Sequence, residues 1–140
     1  MLQKRWQKKY KDEGGNCDSL CVVCNVDIKN DGAIESRVLL CGDAEHDEIK
    51  KMKNAGRIDD IDIYKCGHHG SKNAIDESDA AFMSPKISLI SVGAKNRYGH
   101  PAYSTIEKLE KTGSKIYRTD QQGTITCTFT ENNINITTEK

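Results

Sequence analysis

The sequence lacks net charge: 21 Lys+Arg stand against 21 Asp+Glu. A dedicated nucleic-acid binder is normally basic overall or on one face, so this balance argues against one. It also lacks any apolar run near the ~18–20 residues that a membrane span needs, so no bilayer-crossing segment is expected. No positive-then-apolar signal segment opens the chain, and the expected setting is therefore cytoplasmic. Repeats and low-complexity tracts are missing too. Apolar residues are sparse at 36%, low for a globular chain even with 11 Gly added, and aromatics supply only 6%. What is present is 140 residues, enough for one domain with a modest core. That is short for an enzyme with a complete two-layer active site.

Six cysteines are present (Cys17, Cys21, Cys24, Cys41, Cys66 and Cys127). Without a secretion signal, a disulfide framework is not expected. Most of them sit among Val, Leu and Ile, where a free thiol behaves as a small hydrophobe. Cys17-x3-Cys21-x2-Cys24 has the spacing that radical-SAM enzymes use for an iron–sulfur cluster, which needs converging thiolates. However, 19–26 reads as a strand in which Leu20, Val22, Cys24 and Val26 share one face and Cys21, Val23 and Asn25 the other. Cys21 and Cys24 then point apart, which makes the iron–sulfur protein the weakest reading.

Residues 1–13 are basic and carry Trp6 and Tyr10. They read as a surface helix or a connector, so 1–15 is set apart from a domain over 16–140. Within that domain, strands are expected over 19–26 and 36–41, joined by the turn signal Lys29-Asn30-Asp31-Gly32. Helices are expected over 46–55, 77–83 and 104–112, closed by Gly56, Pro85 and Gly113. Further strands are expected over 61–66, 87–92, 115–117 and 124–129, with a weak edge strand over 133–137. Strands alternating with helices predict a layered α/β domain, a mixed sheet with helices packed on it. The Gly-rich polar segments all follow strands, and in open α/β sheets ligands bind at the strands' carboxyl ends. GDAE (42–45), GHHGS (67–71), NRYGHP (96–101) and RTDQQG (118–123) should converge on one rim.

Two of these segments carry the chemistry. Gly42-Asp43-Ala44-Glu45 sets two carboxylates at a strand end. Gly67-His68-His69-Gly70 sets two imidazoles at another, between glycines that let the backbone turn sharply. Carboxylate and imidazole together suit Zn or Mn. Taken singly, an Asp before a helix is most often an N-cap, and a lone His is usually a surface residue. His100, in Tyr98-Gly99-His100-Pro101, is either a helix-start turn or a third functional imidazole. His46 opens a helix and reads as solvated. Lys72 and Arg97 are loop cations suited to a phosphate.

In order and spacing, GDAE, CGHHGSK, SLISVGAKNRYGHP and IYRTDQQGTI together resemble the metallo-β-lactamase-fold domain of ComEC-type competence proteins, which act in DNA uptake. The resemblance runs from about Asn16 to Phe129. It implies a dinuclear metal hydrolase, in which metal-activated water cleaves a phosphodiester. Asp43 matches the metal-bridging Asp, and a His of the HHG motif binds the second metal. Analogy favours His69 for that, with His68 nearer the substrate and Glu45 near the leaving group or phosphate. Glu45, His68 and His100 are thus the catalytic candidates, and Asp43 and His69 the metal ligands.

One feature of the family is missing. Its first-half ligands come from an HxHxDH-like motif and one further His. None of the four His stands in such a motif, and a catalytic zinc usually needs three protein ligands. The chain is therefore expected to form the C-terminal half of an αβ/βα sandwich. Alone it should be inactive, completed either by a missing N-terminal half or by a second copy. The alternative is a non-catalytic binding or assembly module that retains the fold. No membrane contact is expected of this segment, and an extracytoplasmic position follows only if it belongs to a larger membrane protein. As ligands of one site, Asp43 and His69 should approach within roughly 5 Å, since metal–ligand bonds are near 2 Å.

Overall fold

The computed structural model describes residues 19–140. Segment 1–15 and Cys17 lie outside the described residues. Strands β1 (Val22–Val26) and β2 (Ser36–Leu40) form the expected antiparallel hairpin, with Val22 opposite Leu40 and Val26 opposite Ser36. The connection turns where Asn30 and Gly32 adopt φ of 55° and 86°. The Asp27 carboxylate accepts the N–H groups of Asp31 and Gly32, closing the loop.

From β2 onward the chain alternates helix and strand: α1 (His46–Asn54), β3 (Ile63–Lys65), α2 (Glu77–Met83), β4 (Ile87–Ile90), α3 (Tyr103–Glu110) and β5 (Lys115–Arg118). The sheet order is β1-β2-β3-β4-β5, parallel from β2 to β5. Right-handed crossovers that always step the same way lay every helix on the same face. That face holds the core: Leu39, Tyr64 and Ile90 from strands meet Ile49, Met83 and Leu109 from helices. Helix α2 has sharp ends. Asp76 caps it by accepting the Asp79 N–H at 2.7 Å, and Ser84 leaves it in the left-handed region at φ 41°.

The alternate strand residues face the other way. Ile63 and Ile87 are buried there, while Val22 and Leu40 each remain 39% exposed. A short helix α4 (Thr119–Gln122) leads to a separate hairpin, β6 (Ile125–Phe129) and β7 (Ile134–Thr138). Ile125, Cys127 and Phe129 are half-buried and alternate with exposed Thr126 and Thr128. The hairpin lies along the second face: its tip borders a groove with Ile87, Lys115 and Tyr117, and Glu131 pairs with Lys29 at 3.6 Å.

The expected mixed α/β architecture is thus found, with helices 77–83 and 46–55 nearly residue for residue. Some bounds differ: β1 begins at Val22 rather than 19, and β4 ends at Ile90 rather than 92. β3 is three residues long, because Ile61 and Asp62 spend their N–H groups on Met83 and Arg37 carbonyls before the ladder starts. Segment 119–122, expected as loop, is a helical turn. The weak tail strand pairs only with β6. No helix among the described residues is long and apolar enough to cross a membrane.

Candidate functional site

Because β2 to β5 are parallel, the segments that leave their carboxyl ends share a rim. The turn Gly67–Gly70 is the centre of that rim. It is left-handed at two consecutive non-glycine residues, His68 (φ 44°, ψ 44°) and His69 (φ 54°, ψ 25°). Its flanking glycines are required by contact. A Cβ on Gly67 would stand 2.1 Å from the Ala44 carbonyl oxygen, and one on Gly70 would stand 2.7 Å from Pro101 Cβ. The imidazole turn is therefore wedged between the GDAE turn and the loop that ends at Pro101. His68 N–H donates to the Gly42 carbonyl at 3.0 Å, and Ala102 N–H donates to the Gly70 carbonyl at 2.8 Å. From below, Tyr64 supports the turn. Its buried hydroxyl donates to the Ala74 carbonyl at 3.3 Å and accepts the Gly67 N–H at 3.4 Å. Burial raises the Tyr64 phenol well above its ordinary value.

The wedge produces two carboxylate–imidazole pairs. In the inner pair, His68 Nδ1 donates to Glu45 Oε1 at 3.0 Å, with both side chains about 30% exposed or less. Glu45 also accepts from Ser71 Oγ and Asn73 Nδ2, each at 3.5 Å. In the outer pair, Asp43 Oδ1 lies 3.7 Å from His69 Nε2, and both side chains are half exposed. That is beyond hydrogen-bond reach. His69 Nδ1 lies 2.7 Å from the Ser91 carbonyl. A carbonyl only accepts, so Nδ1 carries a proton, and Nε2 is the ring nitrogen that faces the Asp43 carboxylate. Metal-binding histidines are commonly oriented in this way, with the second nitrogen held by a carbonyl. The donor set fits Zn or Mn, and two ligands on one ion stand at about this separation when each bond is ~2 Å.

His100 is set beside the inner pair, its ring edge-on to His68 at 5.5 Å and stacked on Tyr98 at 5.9 Å. Asn96 holds the loop by accepting the His100 and Tyr98 N–H groups and donating to the His100 carbonyl. Burial, and then the charges of His68 and His69, lower the His100 pKa below its ordinary value.

All five candidates from the sequence thus share the rim. The fourth segment follows β5 at this rim, where Arg118 pairs with Asp120 at 2.6 Å and Thr119 bonds both backbone groups of Val92, next to Ser91. His46 starts α1 and approaches Asp47 at 3.4 Å. Lys72 and Arg97 are exposed. Asn96, Ser71, Asn73 and the Ser91 carbonyl were not anticipated. Only Asn96 had a signal, an Asn four residues before His100 in a Gly-rich loop.

No family model and no solved structure matches the chain. It is similar to part of ComE operon protein 3 of Bacillus subtilis (strain 168), with 37% identity over 87 residues, 62% of this chain and 11% of that protein. It is also similar to part of Recombination protein 2 of Haemophilus influenzae, with 32% identity over 116 residues, 83% of this chain and 14% of that protein. The site-bearing domain thus spans a small fraction of the length of the curated relatives it matches.

Proposed function

We propose that the chain is the C-terminal half of a metallo-β-lactamase-type hydrolase domain of a competence protein, with a phosphodiester, DNA among them, as substrate. The observation that carries the reading is the outer pair: His69 Nε2 and the Asp43 carboxylate face each other at 3.7 Å, with the opposite ring nitrogen tied to a carbonyl. Likeness to ComE operon protein 3 and Recombination protein 2 supports the competence setting. Zn or Mn held by Asp43 and His69 supplies Lewis-acid stabilisation of the charge that develops on phosphate. Glu45 keeps the His68 ring oriented toward the same rim. His68 and His100 provide imidazoles for the substrate side, and His100, held neutral, is suited to accept a proton. The remaining ligands come from the missing N-terminal half or a second copy, and the second sheet face, with Val22 and Leu40 exposed, is where an added layer would pack.

A specific observation supports the non-catalytic alternative. Among the described residues, the one group of three candidate ligands is Asp27, Asp31 and Glu35, at the opposite end of β2 from Asp43. Asp27 and Glu35 there already accept backbone N–H groups of their own loop. Metal analysis of the wild type and Asp43→Ala, alongside a bis-(p-nitrophenyl) phosphate assay with Mn²⁺ or Zn²⁺, separates the readings. The expected result is metal uptake lost in Asp43→Ala and little or no turnover by the chain alone. Uptake unchanged by Asp43→Ala removes the ligand pair. Robust turnover abolished by that change shows that no second half is required.

A further inference from the structure

Three thiols stand side by side beneath the rim, and the site described above uses none of them. Cys21 directly precedes β1, and Cys41 and Cys66 directly follow β2 and β3, all on the helix-covered side. Cys41 and Cys66 are buried in the core, and Cys21 packs against it. We propose that Cys21 and Cys41 are a cross-strand thiol pair that a small disulfide, such as oxidised glutathione, converts to an intramolecular disulfide. The pair is independent of any metal chemistry at Asp43.

Register carries the argument. Val22 is the partner of Leu40 on one side of the pair. On the other side the same register continues past the ladder: Asp43 N–H donates to Ser19 Oγ at 3.2 Å, and a Cβ on Gly42 would stand 3.5 Å from the Leu20 carbonyl. Cys21 and Cys41 are therefore direct antiparallel partners. Such partners have Cα atoms about 4.5–5.5 Å apart, inside the range of about 4.4–6.8 Å that a disulfide requires. The Cys21 thiol already points at β2, with Sγ 3.8 Å from the Cys41 carbonyl oxygen.

Accessibility selects the partners. Cys41 and Cys66 are fully buried, whereas Cys21 is half-buried where the chain enters the edge strand, so Cys21 meets the oxidant first. Cys24 is excluded as its partner because residues three apart on a strand face opposite sides. The Cys21 thiolate attacks one sulfur of the glutathione disulfide, and the first glutathione leaves as thiolate. Cys41 then gives up its proton and attacks Cys21 Sγ, releasing the second glutathione. Two glutathione thiols take up the two protons, and the pair supplies both electrons. The new bond fixes β1 to the residue two before Asp43, joining the edge strand covalently to the carboxylate turn.

The test treats the full folded chain with oxidised glutathione, then counts thiols and maps tryptic peptides without reduction. Two of the six thiols should disappear, and peptide 38–50 should be joined to peptide 12–29. The Cys21→Ser and Cys41→Ala variants should each lose that joined species. Cys21→Ser alters a half-buried edge position, so it keeps the test readable if Cys41→Ala folds poorly. Glutathione retained on Cys21 with Cys41 still free would overturn the proposal. So would a bridge from Cys41 to Cys66, or a joined species that survives Cys21→Ser through Cys17 or Cys24.

Discussion

Glu45 with His68, and Asp43 with His69, are each a carboxylate and an imidazole taken from the same two turns, yet they are built differently. The inner pair is half-buried and joined by a direct hydrogen bond of 3.0 Å. The outer pair stands at 3.7 Å, and its imidazole spends its proton on the Ser91 carbonyl instead. A carboxylate that accepts an imidazole N–H is largely satisfied and contributes to structure. A carboxylate and an imidazole nitrogen that face each other beyond hydrogen-bond reach stand at a separation that suits two ligands of one cation. The difference arises from one residue of chain and from which group waits above each ring.

The most severe way to break the comparison is Gly67→Ala. The added Cβ meets the Ala44 carbonyl, a backbone atom that cannot swing aside. A loss of about 3 kcal/mol is expected from chemical denaturation, together with loss of metal binding, since both imidazoles leave the GDAE turn at once. Next come Asp43→Ala and His69→Ala. Each should lower Zn²⁺ affinity by about tenfold or more in calorimetric titration while leaving the melting temperature nearly unchanged, because both side chains are half exposed. Glu45→Ala should do the reverse. Loss of the His68 bond costs about 1 kcal/mol of stability, with a smaller effect on Zn²⁺ than Asp43→Ala. Equal effects of the two carboxylate variants on metal would erase the distinction between the pairs.

The smallest effect is read at His100. Burial and the charges of His68 and His69 lower its pKa below the ordinary ~6.5. Between that lowered value and ~6.5 the unfolded chain binds more protons than the folded one. The His100 contribution is therefore present above ~6.5 and is lost as pH falls through the lowered pKa. Removing one neighbouring charge with His68→Ala should move the His100 titration, followed by NMR, partway up toward its ordinary value. A downward shift would show that His68 supports His100 in some other way.

Much of this was legible because the local signals agreed. Pro85 stops the helix expected over 77–83, where α2 lies, and strand ends followed by Gly-rich segments place Asp43, Glu45, His68, His69 and His100 on one rim. The pairing was not legible. Alternate residues of a turn have no fixed direction until the backbone is known, and two consecutive histidines in the left-handed region are not an ordinary reading of His-His. The partner that sets His69 apart is a main-chain carbonyl, which no side-chain pattern reveals. RTDQQG follows β5 at the rim, and there Arg118 and Asp120 satisfy each other.

The left-handed backbone at His69 has one more consequence. A non-glycine residue there costs of order 1 kcal/mol, and a half-exposed ring recovers little of that by packing. Glycine at this position would suit the conformation better. Selection for a sturdier fold alone would thus discard the imidazole, so the chain carries His69 at the expense of its own thermodynamic margin.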